Sequence, residues 1–142
     1  MNDIKKYEWD KIVNLAIEFA YPESLEQENL TRLELLDELS LLQDKYGKNV
    51  DILATQAQYI LDMKVKEQLF NEAFELAVLN HDIKNEVMIT SSLADLYFDL
   101  EDEDNFIKWL YQLKEVLIIH PDSAELMNYE YLINEWSKRQ NH

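Results

Sequence analysis

Carboxylates supply most of the chemistry in this chain. Asp95, Asp99 and the run Glu101, Asp102, Glu103, Asp104 place six acids within ten residues, and no Lys or Arg falls between Lys84 and Lys108. Such a cluster can bind a cation or attract a basic partner. An EF-hand calcium loop needs ligands at alternating positions, a Gly in the turn and a later Glu. That pattern is absent, so the spacing points to an electrostatic surface. Asp95 and Asp99 stand four residues apart on an expected helix, where like charges cost a few tenths of a kcal/mol. Helix stability therefore does not explain them. His81 and His120 both end apolar helical stripes, where an imidazole meets the negative end of the helix dipole. Both are expected as caps. No E-x-x-H or H-E-x-x-H spacing accompanies them. A Ser, His and Asp hydrolase would need a strained turn such as Gly-x-Ser-x-Gly and an oxyanion hole. With one Gly and no Cys in the sequence, the reading is non-enzymatic, with no catalytic residue, metal ligand set or cofactor.

The elements that must carry these residues are helices. Gly occurs once and Pro twice, which leaves almost none of the residues that glycine-dependent hairpin turns and phosphate loops require. The chain is 142 residues long and 47% hydrophobic, enough for one domain over 1–142 with its own core. Its charged N-terminus has no signal-peptide core and no run reaches membrane-spanning length, so the expected location is cytoplasmic. The 29 Asp and Glu against 13 Lys and Arg give a net charge of −16. That excess keeps a small helical protein soluble. It also repels nucleic acid and membrane surfaces and attracts basic proteins.

Helical periodicity predicts seven helices. The first runs from about Asp3 to Ala20, with Trp9, Ile12, Val13, Ala16 and Phe19 on one face. Ser24 with Gln27 forms a capping-box pattern opening the second, whose stripe Leu35, Leu39, Leu42 and Tyr46 is widened by Leu30, Leu33 and Leu36. Gly47 is expected at a left-handed C-terminal position. Asn49 or Asp51 caps the third helix, with Leu53, Ala57, Ile60 and Leu61 apolar, and Asp62 to Lys64 form a turn. The fourth runs from about Val65 to Asn80 and the fifth from Ile83 to Leu100. The sixth runs from Asn105 to Ile119 after Asp104 as N-cap. Asp122 with Glu125 opens the seventh, whose stripe is Leu126, Tyr129, Ile133 and Trp136. Tyr129 and Tyr131 point to different sides of it, so one is expected to be exposed.

Leu93, Ala94, Tyr97 and Leu100, followed by Phe106, Trp109, Leu113, Val116 and the closing Pro121, resemble a tetratricopeptide (TPR) repeat. Ala16, Ala57 and Ala94 align in one column, and Phe19, Ile60 and Tyr97 in the next. Ala57 and Ala94 lie 37 positions apart, slightly beyond the family period of about 34. The resemblance implies an all-α solenoid of stacked antiparallel helix pairs, about 3–47, 49–81 and 82–120, with a capping helix at about 122–139. It further implies that the first helix of each pair lines a groove. The groove positions are Asp10, Val13 and Ile17 in the first pair. They are Asp51, Ala54, Gln58, Leu61 and Asp62 in the second, and Met88, Ser91, Asp95, Phe98 and Asp99 in the third. The basic residues with which some family members clamp a peptide carboxylate are missing there.

The function expected is an acidic protein-binding module. Asp51, Gln58, Asp62, Met88, Asp95, Phe98 and Asp99 would face a basic protein, with Glu101, Asp102, Glu103 and Asp104 at the groove edge. A cognate inhibitor of immunity type, sequestering a toxin or nuclease, fits this description. An adaptor or secretion chaperone holding an extended basic segment is the alternative. A nucleic-acid mimic fits less well, because Lys5, Lys6, Lys45, Lys48, Lys64, Lys66, Lys138 and Arg139 interrupt the acidic surface.

Overall fold

Apolar stripes, caps and breakers divide the chain into α1 (Lys6–Ala20), α2 (Leu25–Tyr46), α3 (Val50–Tyr59), α4 (Met63–Leu79), α5 (Ile83–Asp99), α6 (Glu103–Ile119) and α7 (Ser123–Gln140). These are the features of a computed structural model that describes residues 4–140, with no strand among the described residues. The expected helix start at Asp3 and the final Asn141 and His142 lie outside them. The fold is all-α: α1 packs on α2 and α2 on α3, and further along the chain α5 packs on α6 and both pack on α7. Two compact units, 1–69 and 70–142, divide within α4.

In the first unit, Ile12 and Leu15 of α1 pack with Leu35, Leu39 and Leu42 of α2 and Ile52 of α3. The pair α1 and α2 is antiparallel. Near its start α1 supplies Glu8, bonded to Lys45 at 2.9 Å and to the Tyr46 hydroxyl, and one turn on Lys11 reaches Glu38 at 2.8 Å. The hydroxyl of Tyr46 and then the ammonium of Lys45 hold the Glu8 carboxyl below its usual range. Phe19 meets Tyr59 edge to face, ring centroids 5.2 Å apart.

Local chemistry sets the boundaries. Ser24 accepts the Gln27 backbone N–H at 3.1 Å, but the Gln27 side chain turns to Thr31, so half of the capping box forms. Asn49 caps α3 through the Ile52 N–H at 3.0 Å. Gly47 has the expected positive φ of 78°, but its ψ of −171° lies outside the left-handed helical region, in a region essentially reserved for glycine. Helix α3 stops at Tyr59, earlier than expected, and Ile60 is extended. Two interactions account for this. Asp62 accepts the N–H groups of Lys64 and Val65 and starts α4, while the Lys66 ammonium takes the Ala57 and Gln58 carbonyls at 2.7 and 3.1 Å. Those carbonyls have no successor in the helix to bond them.

Leu30 and Leu33 do not widen the core stripe of α2. With Leu35, Leu39 and Leu42 turned inward, the 3.6-residue period carries Leu30 and Leu33 to the opposite side, and both are exposed while Thr31 is buried.

The second unit is organised around α5. Ala94 is fully buried, as is Ala57 in the first unit. Val87, early in α5, packs on Leu113, Val116 and Leu117 late in α6, whereas Phe98 near its end meets Phe106 at 5.5 Å. That pair is antiparallel. Ser91 and Asp95 meet Asn128, and Phe98 meets Trp136, so α7 runs parallel to α5. Phe106 and Trp136 join α6 to α7 at 4.8 Å, and Phe74 of α4 sets its edge on Trp109 at 5.0 Å.

Both turns flanking α5 are built alike. His81 and Glu101 have φ of 56° and 57°. The next N–H in each case reaches back to a carbonyl of the last turn, Asp82 to Ala77 at 2.8 Å and Asp102 to Tyr97 at 3.0 Å, which is the Schellman arrangement. Asp82 and Asp102 then cap the following helix, accepting the N–H groups of Asn85 and Asn105 at 3.3 and 3.2 Å. The N-cap of α6 is therefore Asp102, and not Asp104. An aspartate whose own N–H closes the preceding helix is held where its carboxylate can open the next. Glu101 to Asp104 is accordingly a helix junction, with Glu103 and Asp104 in the first turn of α6.

Candidate functional site

The expected site residues divide between the units. Asp51 stands half-buried in the first turn of α3, Gln58 is exposed near its end, and Asp62 is the N-cap of α4. Of the other groove positions in the first unit, Val13, Ile17 and Leu61 are exposed, Asp10 pairs with Lys6 at 2.8 Å, and Ala54 is buried.

In the second unit α7 covers part of the expected groove. Its inward set is Asn128, Leu132, Trp136 and Arg139, spaced four, four and three residues apart. The expected stripe differs, for Leu126 and Ile133 are exposed and Leu132 is buried. A polar Asn starts the inward set, which is why apolar periodicity misses it. Asn128 donates to Ser91 Oγ at 2.7 Å and to Asp95 Oδ1 at 3.0 Å. Burial pushes the Asp95 carboxyl above the usual range, the Asn128 bond partly offsets this, and repulsion from Glu125 and Asp99 adds to it.

Phe98 is 7% exposed. Phe106 and Trp136 flank its ring, and the Arg139 guanidinium carbon lies 3.8 Å from the ring centre, a cation–π geometry. Arg139 also donates to the Phe98 carbonyl at 3.2 Å. With α7 in place, Ser91, Asp95 and Phe98 are occupied from within the chain. The positions left open are Met88, 49% exposed, together with Asp99, Glu101, Glu103 and Asp104. Glu125 and Asn128, which complete the surroundings of Asp95, were not among the expected site residues. The sequence marks Glu125 as a capping residue with Asp122, and Asn128 only as a polar position on α7.

Among the described residues no group of three or more His, Cys, Asp or Glu side chains is arranged to hold a metal ion. Among the described residues no helix is long and apolar enough to cross a membrane. Shallow cavities open on the described residues of the first unit. One of about 340 Å³ lies at the turn between α1 and α2, beside Tyr21 and Pro22, and one of about 380 Å³ lies against Leu30, Leu33, Glu34 and Asp37 of α2. The chain matches no family model, and comparison with curated proteins and with solved structures returns no significant match.

Proposed function

We propose that this chain is a non-enzymatic, TPR-like acidic module that binds a basic protein in the cytoplasm, as a cognate inhibitor of a cationic toxin or nuclease would. One observation carries the reading. If every one of the 13 Lys and Arg were paired with an acid, 16 of the 29 carboxylates would still lack a counter-charge. In the second unit Asp99, Glu101, Glu103 and Asp104 are exposed around the junction of α5 and α6, where they would steer a basic surface. The antiparallel α5 and α6 with α7 parallel to α5, and the buried Ala57 and Ala94, support the repeat relationship.

The test is capture of a partner on the immobilised chain from source-cell extract, followed by association kinetics with the purified partner. The expected partner is a folded basic protein whose association slows as salt rises, because exposed charges farther apart than about 8 Å are screened at physiological ionic strength. The double variant Asp99→Lys with Glu103→Lys should slow association further. Retention of an extended segment only would favour an adaptor or chaperone. A partner that is neutral or acidic, with association indifferent to salt, would overturn the reading.

A further inference from the structure

Helix α2 carries leucine on two opposite sides. Leu35, Leu39 and Leu42 fill the core of the first unit. On the far side Leu30, Leu33 and Leu41 are 55%, 50% and 60% exposed. Single exposed leucines are ordinary, but these three lie along one side. The exposed residues sharing that side include Glu26, Glu34, Asp37 and Asp44, and it holds no Lys or Arg. Of the bases around it, Lys11 pairs with Glu38 at one edge, close enough to feel Glu34, Lys45 pairs with Glu8, and half-buried Arg32 lies about 100° round the helix from Leu33 toward the core side. The cavity of about 380 Å³ opens within this face, against Leu30, Leu33, Glu34 and Asp37.

We propose that this face seats a basic amphipathic helix of a partner protein. The partner's apolar side would rest on Leu30, Leu33 and Leu41, and its Lys and Arg would reach Glu26, Glu34, Asp37 and Asp44, which alternate with those leucines along the same side. This is the helix-in-groove mode, in which apolar anchors at helical spacing give affinity and flanking charges give orientation. At 1.5 Å per residue the stretch from Glu26 to Asp44 measures roughly 27 Å, so a partner helix of about five turns spans it. A second copy of this chain is the wrong occupant. Two-fold pairing on this face would set the same four carboxylates against themselves. The sign of the partner's charge rests on the acidic-binder reading; the location on α2 does not.

The experiment is calorimetric titration of the full chain with two synthetic basic peptides of about five helical turns and identical composition. One carries Leu along a single helix face among Lys residues; the other scatters the same Leu around the helix. The ordered peptide should bind roughly tenfold more tightly, the scale of losing one well-packed anchor. The triple variant Leu30→Gln, Leu33→Gln and Leu41→Gln keeps the charge, and circular dichroism checks that it keeps the helix content. It should lose that advantage. The control Ile107→Gln with Tyr111→Gln, at exposed apolar positions of α6, should retain it. Equal binding of the two peptides, or an unchanged triple variant, overturns the proposal in favour of charge alone. A wild-type dimer in sedimentation that disappears in the triple variant also overturns it, because the occupant is then a second copy. If the peptide preference is absent while a basic protein is still captured, the α2 site falls and the binding function stands.

Discussion

Helix α2 is packed between α1 and α3 and helix α5 between α6 and α7, and they are used differently. Helix α5 has 17 residues, ten of them buried, whereas α2 has 22 with four buried. The difference does not come from leucine content, which is higher in α2. It comes from enclosure. Within its unit α5 is packed by α6 on one side and by α7 on another, and even Ser91 and Thr90 are buried there. Thr90 satisfies its hydroxyl on the Glu86 carbonyl at 2.7 Å, the usual solution for a threonine in a helix interior. Helix α2 offers one leucine face to α1 and α3 and leaves the other in water. An enclosed helix turns its side chains to stability, and a half-enclosed one keeps apolar surface available for a partner.

The contrast is broken most readily by truncation. Phe98→Ala removes a ring held by Phe106, Trp136 and Arg139, and should cost about 3–5 kcal/mol in denaturant unfolding. Leu33→Ala, on the open side of α2, should change stability by about 0.5 kcal/mol or less. Comparable losses at the two sites would erase the distinction. A smaller effect sharpens the account of the junction that follows α5. Asp102→Ala should cost about 1 kcal/mol as a lost N-cap, and Asp104→Ala clearly less, whereas the reverse order would restore Asp104 as the cap.

The smallest effect concerns pH. The folded-state pKa of Asp95 is raised from its ordinary value of 3.8, so the native chain binds that proton more readily than the unfolded one. Ionisation at neutral pH therefore costs stability, and the cost disappears as pH falls through the folded value toward the unfolded one. Asp95→Asn should melt higher than the wild type at pH 7, with the gap closing as the pH approaches 4. Parallel melting profiles from pH 7 to 3 would mean that burial, with repulsion from Glu125 and Asp99, does not outweigh the Asn128 hydrogen bond at Asp95.

Much of the helical layout was legible because strong caps and apolar periods coincide. Ser24, Asn49, Gly47 and Asp122 marked ends correctly, and Ala57 and Ala94 were recognisable as buried. What was missed depends on side chains that periodicity treats as neutral. Asn128 reads as a surface residue until Ser91 and Asp95 are placed opposite it. Leu30 and Leu33 read as core because apolar counting cannot distinguish a covered face from an open one. The run from Glu101 to Asp104 reads as a charged loop, since nothing local announces that Glu101 takes a left-handed turn normally favouring Gly or Asn. In the candidate site, the acidic character was visible from composition. The covering of Phe98 was not, because it depends on the distant Trp136 and Arg139.

Hydrogen–deuterium exchange of the full chain, with and without the ordered basic peptide, tests most directly whether α2 is open while α5 is closed. The expected result is slower exchange confined to residues 26–44 of α2, with exchange in α5 and α7 unchanged. Slower exchange in α5 accompanied by faster exchange in α7 would contradict it, because the peptide would then have displaced α7 and taken the surface around Asp95 and Phe98.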